Sequence, residues 1–261
     1  MRKFKKPESR GRPARSLTAT PPGRCVVGIH AVTELLKVRP RAVDQIWLRE
    51  SYSDHPALRH LADQARNLKI RVHLQSPAVL DKVTSANQGV LAFAREAPEL
   101  DWEILKTIDS AYLVALDEVE DPHNLGAVLR TAWLLGARGV LTPAHRSAHL
   151  SPAVSKVAQG AVEHVPVDRD NALPQQLETL KSAGFWIWGL SHTAKSTIFE
   201  VSIPQKVIWV LGSEASGLRK SVERVCDDFV RIPQLHPEAS YNVSVAAAIA
   251  LAETFRQMQK Y

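Results

Sequence analysis

Five polar side chains that could together form a binding or catalytic site stand out in this chain: Asn124, Arg130, Glu214, Ser240 and Asn242. They lie in three separate stretches, residues 117–130, 211–218 and 232–246. An amide both donates and accepts hydrogen bonds, and a guanidinium presents a fixed positive fork to a phosphate or a carboxylate. Glu214 adds a lone acid between glycines, close to backbone amides.

Each stretch lies where an apolar, strand-like run gives way to a helical one. Residues 112–116 form such a run, residues 117–121 form an acidic turn, and residues 127–135 have helical spacing. Ligands of open α/β sheets bind beyond the carboxyl ends of the strands. We therefore expect the three stretches to meet at one crevice.

Each residue also has a purely structural interpretation. Asn124, Ser240 and Asn242 are good helix caps, and Arg130 with Glu214 could form an ordinary salt bridge. Five such groups on three strand-end loops nevertheless favour a site over five unrelated structural roles.

Two familiar nucleotide sites are excluded. No GxGxxG follows a predicted strand, which argues against a nicotinamide-binding fingerprint. Residues 212–217 resemble a P-loop in their glycines, but Leu218 and Arg219 follow where a lysine is required. Glu214 would also repel a phosphate.

The order of predicted elements indicates two folded units and a linker. From residue 111 onward, strands alternate with helices, which predicts a mostly parallel sheet covered on both faces. The predicted strands are 112–116, 139–142, 164–167, 185–190, 207–211 and 228–232, and the predicted helices are 124–135, 152–158, 171–183, 217–225 and 242–258. Residues 95–110 are acidic, contain a proline, and predict a linker with a short helix near Asp101.

Residues 25–97 predict a small α/β unit of two or three layers. Its predicted helices are 28–38, 55–68 and 76–84, and its predicted strands are 43–48, 71–74 and 89–94. Nothing in it suggests catalysis. The polar turn at 87–89 is interpreted either as a simple turn or as a turn that contacts a ligand.

The basic character of the chain belongs to its beginning. The 261 residues contain 33 Lys and Arg and 27 Asp and Glu, and eight of the bases but only one acid fall within residues 1–24. That segment carries +7, whereas the remainder has 25 basic and 26 acidic residues and carries −1. The Pro, Ser and Gly content of residues 1–24 predicts that this segment is disordered. An arm for nucleic-acid phosphates, a mitochondrial transit peptide and a solubilising tail all remain open, although four prolines disfavour the transit peptide.

The cysteines, histidines and apolar runs of the chain argue against a disulfide-rich, a metal-binding or a membrane-spanning protein. Cys25 and Cys226 have no CxxC spacing, which suits a reducing cytoplasm, and the ten histidines are scattered along the chain. We therefore expect neither a disulfide framework nor a metal site. No apolar run approaches the roughly 18 residues that span a bilayer, so we expect no membrane partner.

The three stretches resemble the motifs of the SPOUT superfamily, in its SpoU (TrmH) branch of RNA ribose 2′-O-methyltransferases. Residues 117–130 match DxxxDPxNxGxxxR, residues 212–217 match GxExxG, and Ile232-Pro233 with residues 240–246 match an Ile-Pro followed by SLNVSxA. The front unit resembles the RlmB-like subgroup, which methylates guanosine in large-subunit rRNA. There, residues 28–32 match GIHAV and residues 87–90 match its HQG turn, with Asn87 in place of His.

This resemblance implies a fold, a cofactor and partners. It implies a parallel-sheet methyltransferase domain at 111–261 with a C-terminal trefoil knot, an L30e-like RNA-binding domain at 23–95, a linker at 96–110 and a basic tail at 1–22. It implies S-adenosylmethionine as cofactor and no metal, a homodimer, and an RNA substrate, rRNA rather than tRNA. The implied cofactor-binding residues are Leu211, Gly212, Ile232, Tyr241 and Val243.

The resemblance also suggests roles for the five polar residues. We expect Arg130 to stabilise a phosphate and the developing 2′-alkoxide, because a guanidinium is a reluctant base. Asn124 and Ser240 would orient it. Glu214 would hold Arg130 or relay the proton, and Asn242 would shape the cofactor loop.

One departure from the family leaves an alternative open. Tyr241 stands where the family usually has Leu, and its ring would be tolerated if only its backbone meets the cofactor. If the ring points inward, it could clash with adenine or stack on it. Two other functions therefore remain as alternatives, a tRNA 2′-O-methyltransferase and a SPOUT protein that binds RNA without transferring methyl.

Overall fold

The computed structural model describes residues 20–213, 216–236 and 238–259, and these residues form two β-sheets with helices packed on them. The predicted disorder of the basic tail falls almost wholly on residues 1–19, outside the described part. Among the described residues, no helix is both long and apolar enough to cross a bilayer.

The front unit is a four-stranded sheet with helices on both faces. Its elements are β1 (Arg24–Val27), α1 (Ile29–Val38), β2 (Val43–Arg49), α2 (Pro56–Asn67), β3 (Arg71–Gln75), α3 (Pro77–Val83) and β4 (Val90–Ala94). The strand order is β1-β4-β2-β3, and only β2 and β3 run parallel. Helices α1 and α2 pack on one face and α3 on the other, so the unit has three layers.

The second sheet carries the remaining elements of the described chain. They are α4 (Trp102–Thr107), β5 (Ala111–Asp117), α5 (Pro122–Leu135), β6 (Val140–Pro143), α6 (Pro152–Ala158), β7 (Val167–Asp170), α7 (Leu173–Ser182), β8 (Trp186–Leu190), β9 (Ser196–Thr197), β10 (Lys206–Gly212), α8 (Lys220–Glu223), β11 (Asp228–Arg231) and α9 (Val243–Met258). The strand order is β7-β6-β5-β10-β8-β11-β9, and every pairing is parallel.

This sheet is buried from both sides, which explains its continuous apolar strands. All seven residues of β5 are buried, and β10 is buried from Val207 to Leu211. Helices α5, α6 and α9 cover one face, whereas α4, α7 and α8 cover the other. Parallel sheets are stable when both faces are covered. The predicted fold class, a mostly parallel α/β sheet covered on both faces, is confirmed.

Several predicted boundaries were wrong for local reasons. Strand β1 was not predicted, because its four residues adjoin the basic tail and show no clear alternation. The strand expected at 164–167 is β7, three residues later, since Ala161–Glu163 forms a short 3₁₀ helix. The helix expected at 217–225 is only α8, because Gly217 has φ +67° and the chain there is still turning.

Buried polar contacts join the two sheets. Arg24 donates to both carboxylate oxygens of Glu163 at 2.7 and 2.8 Å, and both side chains are almost fully buried. The Val27 amide donates to the Ser155 hydroxyl at 3.0 Å. The start of β1 is therefore fastened directly to the second unit.

Candidate active site

A cavity of about 630 Å³ opens beyond the carboxyl ends of β8, β10 and β11. All five predicted cofactor-binding residues line it, together with one predicted catalytic residue: Leu211, Gly212, Ile232, Tyr241, Val243 and Ser240. This volume falls within the range of small-molecule sites, and the position agrees with ligand binding beyond parallel strands. The sequence missed the wall formed by the loop after β8, residues 190–193, which contains no recognisable motif.

The loop after β10 turns tightly back on itself. The Ser213 amide donates to the Gly217 carbonyl at 3.2 Å, and the Gly217 amide donates to the Ser213 carbonyl at 2.9 Å. A side chain at Gly212 would place its Cβ 2.1 Å from the Gly217 carbonyl carbon. Only glycine therefore lets the returning backbone cross so close to the end of β10.

The loop between β11 and α9 is closed by its own side chains. The Tyr241 hydroxyl donates to the Pro233 carbonyl at 3.0 Å, and the side-chain Nε2 of Gln234 donates to the His236 and Ala239 carbonyls. Tyr241 is 39% exposed. Its ring thus belongs to the cavity wall with its hydroxyl bound to the loop, a bond that the usual leucine cannot make.

The first stretch reaches the third through a direct hydrogen bond. The Asn242 Nδ2 donates to Asn124 Oδ1 at 2.9 Å, across 118 residues of chain. Asn242 also caps α9, since its Oδ1 accepts from the Ser244 amide at 2.9 Å. The capping interpretation was right for Asn242 and wrong for Asn124, because Asp121 caps α5 by accepting from the His123 amide.

Of the other predicted catalytic residues, the structure describes Arg130 and Ser240, and both are exposed. Arg130 lies exposed on α5, nearly two turns beyond Asn124, and no hydrogen bond or ion pair joins it to another described residue. Ser240 is exposed at the rim of the cavity. Glu214 lies outside the described residues.

The structure adds a contact that the motif analysis did not assign. Asp117, the last residue of β5, is completely buried and binds Arg219, which follows the loop after β10. In the sequence, Arg219 only argued against a P-loop. A buried acid at the end of an apolar strand was the available signal, because it requires a donor.

The cysteines take no part in nucleophilic chemistry at neutral pH. Burial raises the pKa of the Cys25 thiol to about 12, and burial together with Asp227 raises the pKa of the Cys226 thiol to about 12. Because the thiolate is the reactive form, both side chains are essentially inert near pH 7.

Family comparisons agree with this geometry. The SpoU rRNA Methylase family model matches residues 111–252, and the model for RNA 2′-O ribose methyltransferase substrate binding matches residues 25–100. The chain therefore belongs to the SpoU rRNA methylase family.

Curated relatives match along nearly the whole chain. The 23S rRNA (guanosine-2′-O-)-methyltransferase RlmB of Neisseria meningitidis is 35% identical over 90% of this chain and 95% of its own length. The RlmB of Nitrosomonas europaea is 38% identical over 89% of this chain and 91% of its own.

Solved structures share the fold. The SpoU methyltransferase AviRb of Streptomyces viridochromogenes, in complex with AdoMet, has a TM-score of 0.79 at 22% identity, and 90% of each chain is covered. An RNA 2′-O ribose methyltransferase has a TM-score of 0.73 at 27% identity, covering 89% of this chain and 88% of its own.

Proposed function

We propose that this chain transfers a methyl group from S-adenosylmethionine to the ribose 2′-hydroxyl of a guanosine in 23S rRNA. The observation that carries the proposal is the cavity beyond β10 and β11, where all five predicted cofactor residues meet. The near full-length similarity to RlmB proteins supports the choice of rRNA and guanosine. The bacterial origin of those relatives supports a cytoplasmic location.

The cavity residues suit a nucleoside-containing methyl donor. Leu211, Ile232 and Val243 offer apolar surface for a flat base, while Ser213 and Ser240 offer hydroxyl groups. Gly212 leaves the adjoining backbone uncovered by a side chain. When bound there, S-adenosylmethionine supplies an electrophilic methyl group attached to a sulfonium.

The chain's own residues would then have to orient and activate the ribose hydroxyl. Arg130, free of other described partners and exposed, is available for an RNA phosphate and for the alkoxide that develops as the hydroxyl loses its proton. The hydrogen bond between Asn124 and Asn242 fixes the start of α5 against the start of α9. In this proposal Ser240 orients the ribose, and Glu214 holds Arg130 or accepts the proton.

The proposal includes a second copy of the chain. Leu235 is 94% exposed at the tip of the loop before α9, and Val245 on α9 and Leu134 on α5 are also exposed. A homodimer would cover such apolar side chains. Light scattering should give a mass near twice 28.9 kDa, and a monomer at assay concentration would remove this part of the proposal.

The proposal also includes the domain division and the chain path implied by the family resemblance. Residues 23–95 would bind RNA, and residues 96–110 would link the two domains. Residues 111–261 would form the methyltransferase domain, whose C-terminal segment would be knotted. The close crossing of the Gly217 backbone over Gly212 is compatible with such threading. A crystal structure in which the C-terminal segment passes through no loop of the chain would contradict the knotted path.

The decisive experiment combines binding and transfer. The full-length protein is titrated calorimetrically with S-adenosylmethionine and then assayed with labelled donor on unmodified 23S rRNA transcript and on unmodified tRNA. We expect micromolar binding, label in the 23S transcript, and a single 2′-O-methylguanosine on mapping. Label in tRNA alone would favour the tRNA enzyme, and binding of RNA without transfer would favour the non-catalytic alternative.

A further inference from the structure

Arg219, whose side chain is 35% exposed, and the fully buried Asp117 form a contact between two segments beside the cavity. The Arg219 amide donates to Asp117 Oδ2 at 2.8 Å, and its Nε donates to Oδ1 at 2.7 Å. The Nη2 lies 2.6 Å from the same Oδ1. Because Asp117 has no exposed surface, its charge depends on these donors.

The contact holds the far end of the loop that lines the cavity. Gly212, where the loop leaves the sheet, is the register partner of Asp117 in the parallel pair β5–β10. Gly217 and Leu218 line the cavity, and Arg219 follows them immediately. Both ends of the loop are therefore attached to the end of β5, one by the sheet and the other by Arg219.

The same guanidinium extends toward the acidic turn before α5. Its Nε lies 3.8 Å from Glu118 Oε1, which Arg146 approaches at 3.2 Å, and Arg146 lies 3.8 Å from Glu120. Glu118 has φ +56°, a conformation that non-glycine residues seldom adopt. Charges of alternating sign thus continue from the cavity loop to the segment that precedes Asn124.

We propose that Arg219 is a positioning residue for methyl-donor binding. It touches neither reacting group but holds Gly217 and Leu218 in place, so that this part of the cavity wall exists before the ligand arrives. A preformed wall strengthens binding because no ordering cost is paid when the ligand enters. This inference rests on the proposed function and adds the residue that orders its cofactor site.

The test measures S-adenosylmethionine affinity in Arg219→Met and Arg219→Lys. Methionine keeps an unbranched apolar stem and the backbone amide but removes the charged donors, and we expect its Kd to rise about tenfold. Lysine retains one charged donor, so its Kd should rise only about threefold. At saturating donor, kcat should fall by less than the KM for S-adenosylmethionine rises.

A matched control separates positioning from general stability. Arg256 forms a comparable two-bonded pair with Glu253, at 2.7 and 2.6 Å, ten residues or about 15 Å beyond Ala246 along α9. Arg256→Met should leave the Kd within twofold of the unchanged chain. Circular dichroism and the thermal midpoint establish whether each variant is folded. If Arg219→Met does not fold, the comparison with Arg256→Met is made with Arg219→Lys.

The outcomes distinguish a failure of the positioning role of Arg219 from a failure of the proposed methyltransferase function. Unchanged affinity in a folded Arg219 variant would overturn the positioning role while leaving the methyltransferase proposal intact. Equal weakening in Arg219→Met and Arg256→Met would assign the effect to stability and overturn it as well. If the unchanged chain does not bind S-adenosylmethionine, the proposed function fails and this inference fails with it.

Discussion

At the scale of single residues, the predicted site residues divide into groups that are hydrogen-bonded to the protein and one exposed group that is available to a substrate. Asn124, Asn242 and Tyr241 all direct polar atoms to other parts of the protein. Arg130 instead lies exposed and without a described partner. This division is expected when a rigid cofactor site adjoins a substrate surface that forms fully only in the complex.

The first residue-scale prediction concerns Arg130→Lys. Lysine keeps the positive charge for an RNA phosphate but loses the planar fork that can also reach a developing alkoxide. We expect kcat to fall about 100-fold, the size of effect seen when one transition-state donor is removed, while RNA affinity changes less than about threefold. Single-turnover methyl transfer and filter binding measure the two quantities, and near-normal turnover would contradict the assigned role.

The second concerns the departure at position 241. Tyr241→Phe keeps the ring in the cavity wall but removes the hydrogen bond to the Pro233 carbonyl. One such bond contributes about 0.5–1.5 kcal/mol, so we expect the Kd for S-adenosylmethionine to rise about threefold. Tyr241→Leu, which restores the usual family residue, is the comparison. An unchanged Kd in Tyr241→Phe would mean that the hydroxyl does not order the loop.

At the scale of elements, the two sheets are joined by charge as well as by apolar packing. Glu163 sits in a 3₁₀ helix with its side chain 1% exposed, where it receives Arg24 from β1 and lies 3.8 Å from Arg39. Nearby, His164 contacts Glu34 of α1 at 2.9 Å and stacks on Trp133 of α5. The front unit therefore has a defined orientation toward the helix that carries Asn124 and Arg130.

The element-scale prediction is that this orientation depends on Arg24. Arg24→Met leaves the Glu163 carboxylate buried with only the distant Arg39, which should lower the free energy of unfolding by about 3 kcal/mol. Denaturant unfolding measures the change, and the front unit should be cleaved earlier by protease. Arg66→Met, which removes only exposed contacts, an ion pair with Asp63 and a hydrogen bond to the Tyr52 hydroxyl, is the control and should shift the unfolding midpoint far less. Equal midpoints in the two variants would contradict the prediction.

At the scale of the whole molecule, charge is distributed unevenly along the chain. The first 24 residues carry +7 and the rest carries −1, so attraction to RNA has to come from the beginning of the chain and from local patches. The cavity proposed for the methyl donor lies in the near-neutral remainder. RNA affinity and cofactor affinity should therefore respond to different changes.

The molecule-scale prediction is the removal of residues 1–22. RNA binding should weaken, and the slope of log K against log salt should become less steep by about 0.7–0.9 for each RNA phosphate that the shortened chain no longer neutralises. The Kd for S-adenosylmethionine should not change, which serves as the internal control. A salt slope identical to that of the full chain would assign the basic segment a role other than RNA binding.

The sequence by itself determined which residues belong to strand-end loops and what kind of sheet carries them. Continuous apolar runs such as residues 207–211, alternating with helical periods, require a parallel sheet covered on both faces, and the structure has one. The resemblance of its motifs to the SpoU family likewise implied five cofactor residues, and these line one cavity. These features are local, so they leave periodic or motif signals in the chain.

Only the tertiary structure decided which distant groups meet. Asp117 and Arg219 are 102 residues apart and Asn124 and Asn242 are 118 apart, while the wall at 190–193 comes from a loop with no motif. The missed strand β1 is four residues long and is defined by its pairing with β4. Such contacts depend on strand order and on the path of the returning loop, and neither leaves a periodic signal, because the partners are brought together only when the sheet is assembled.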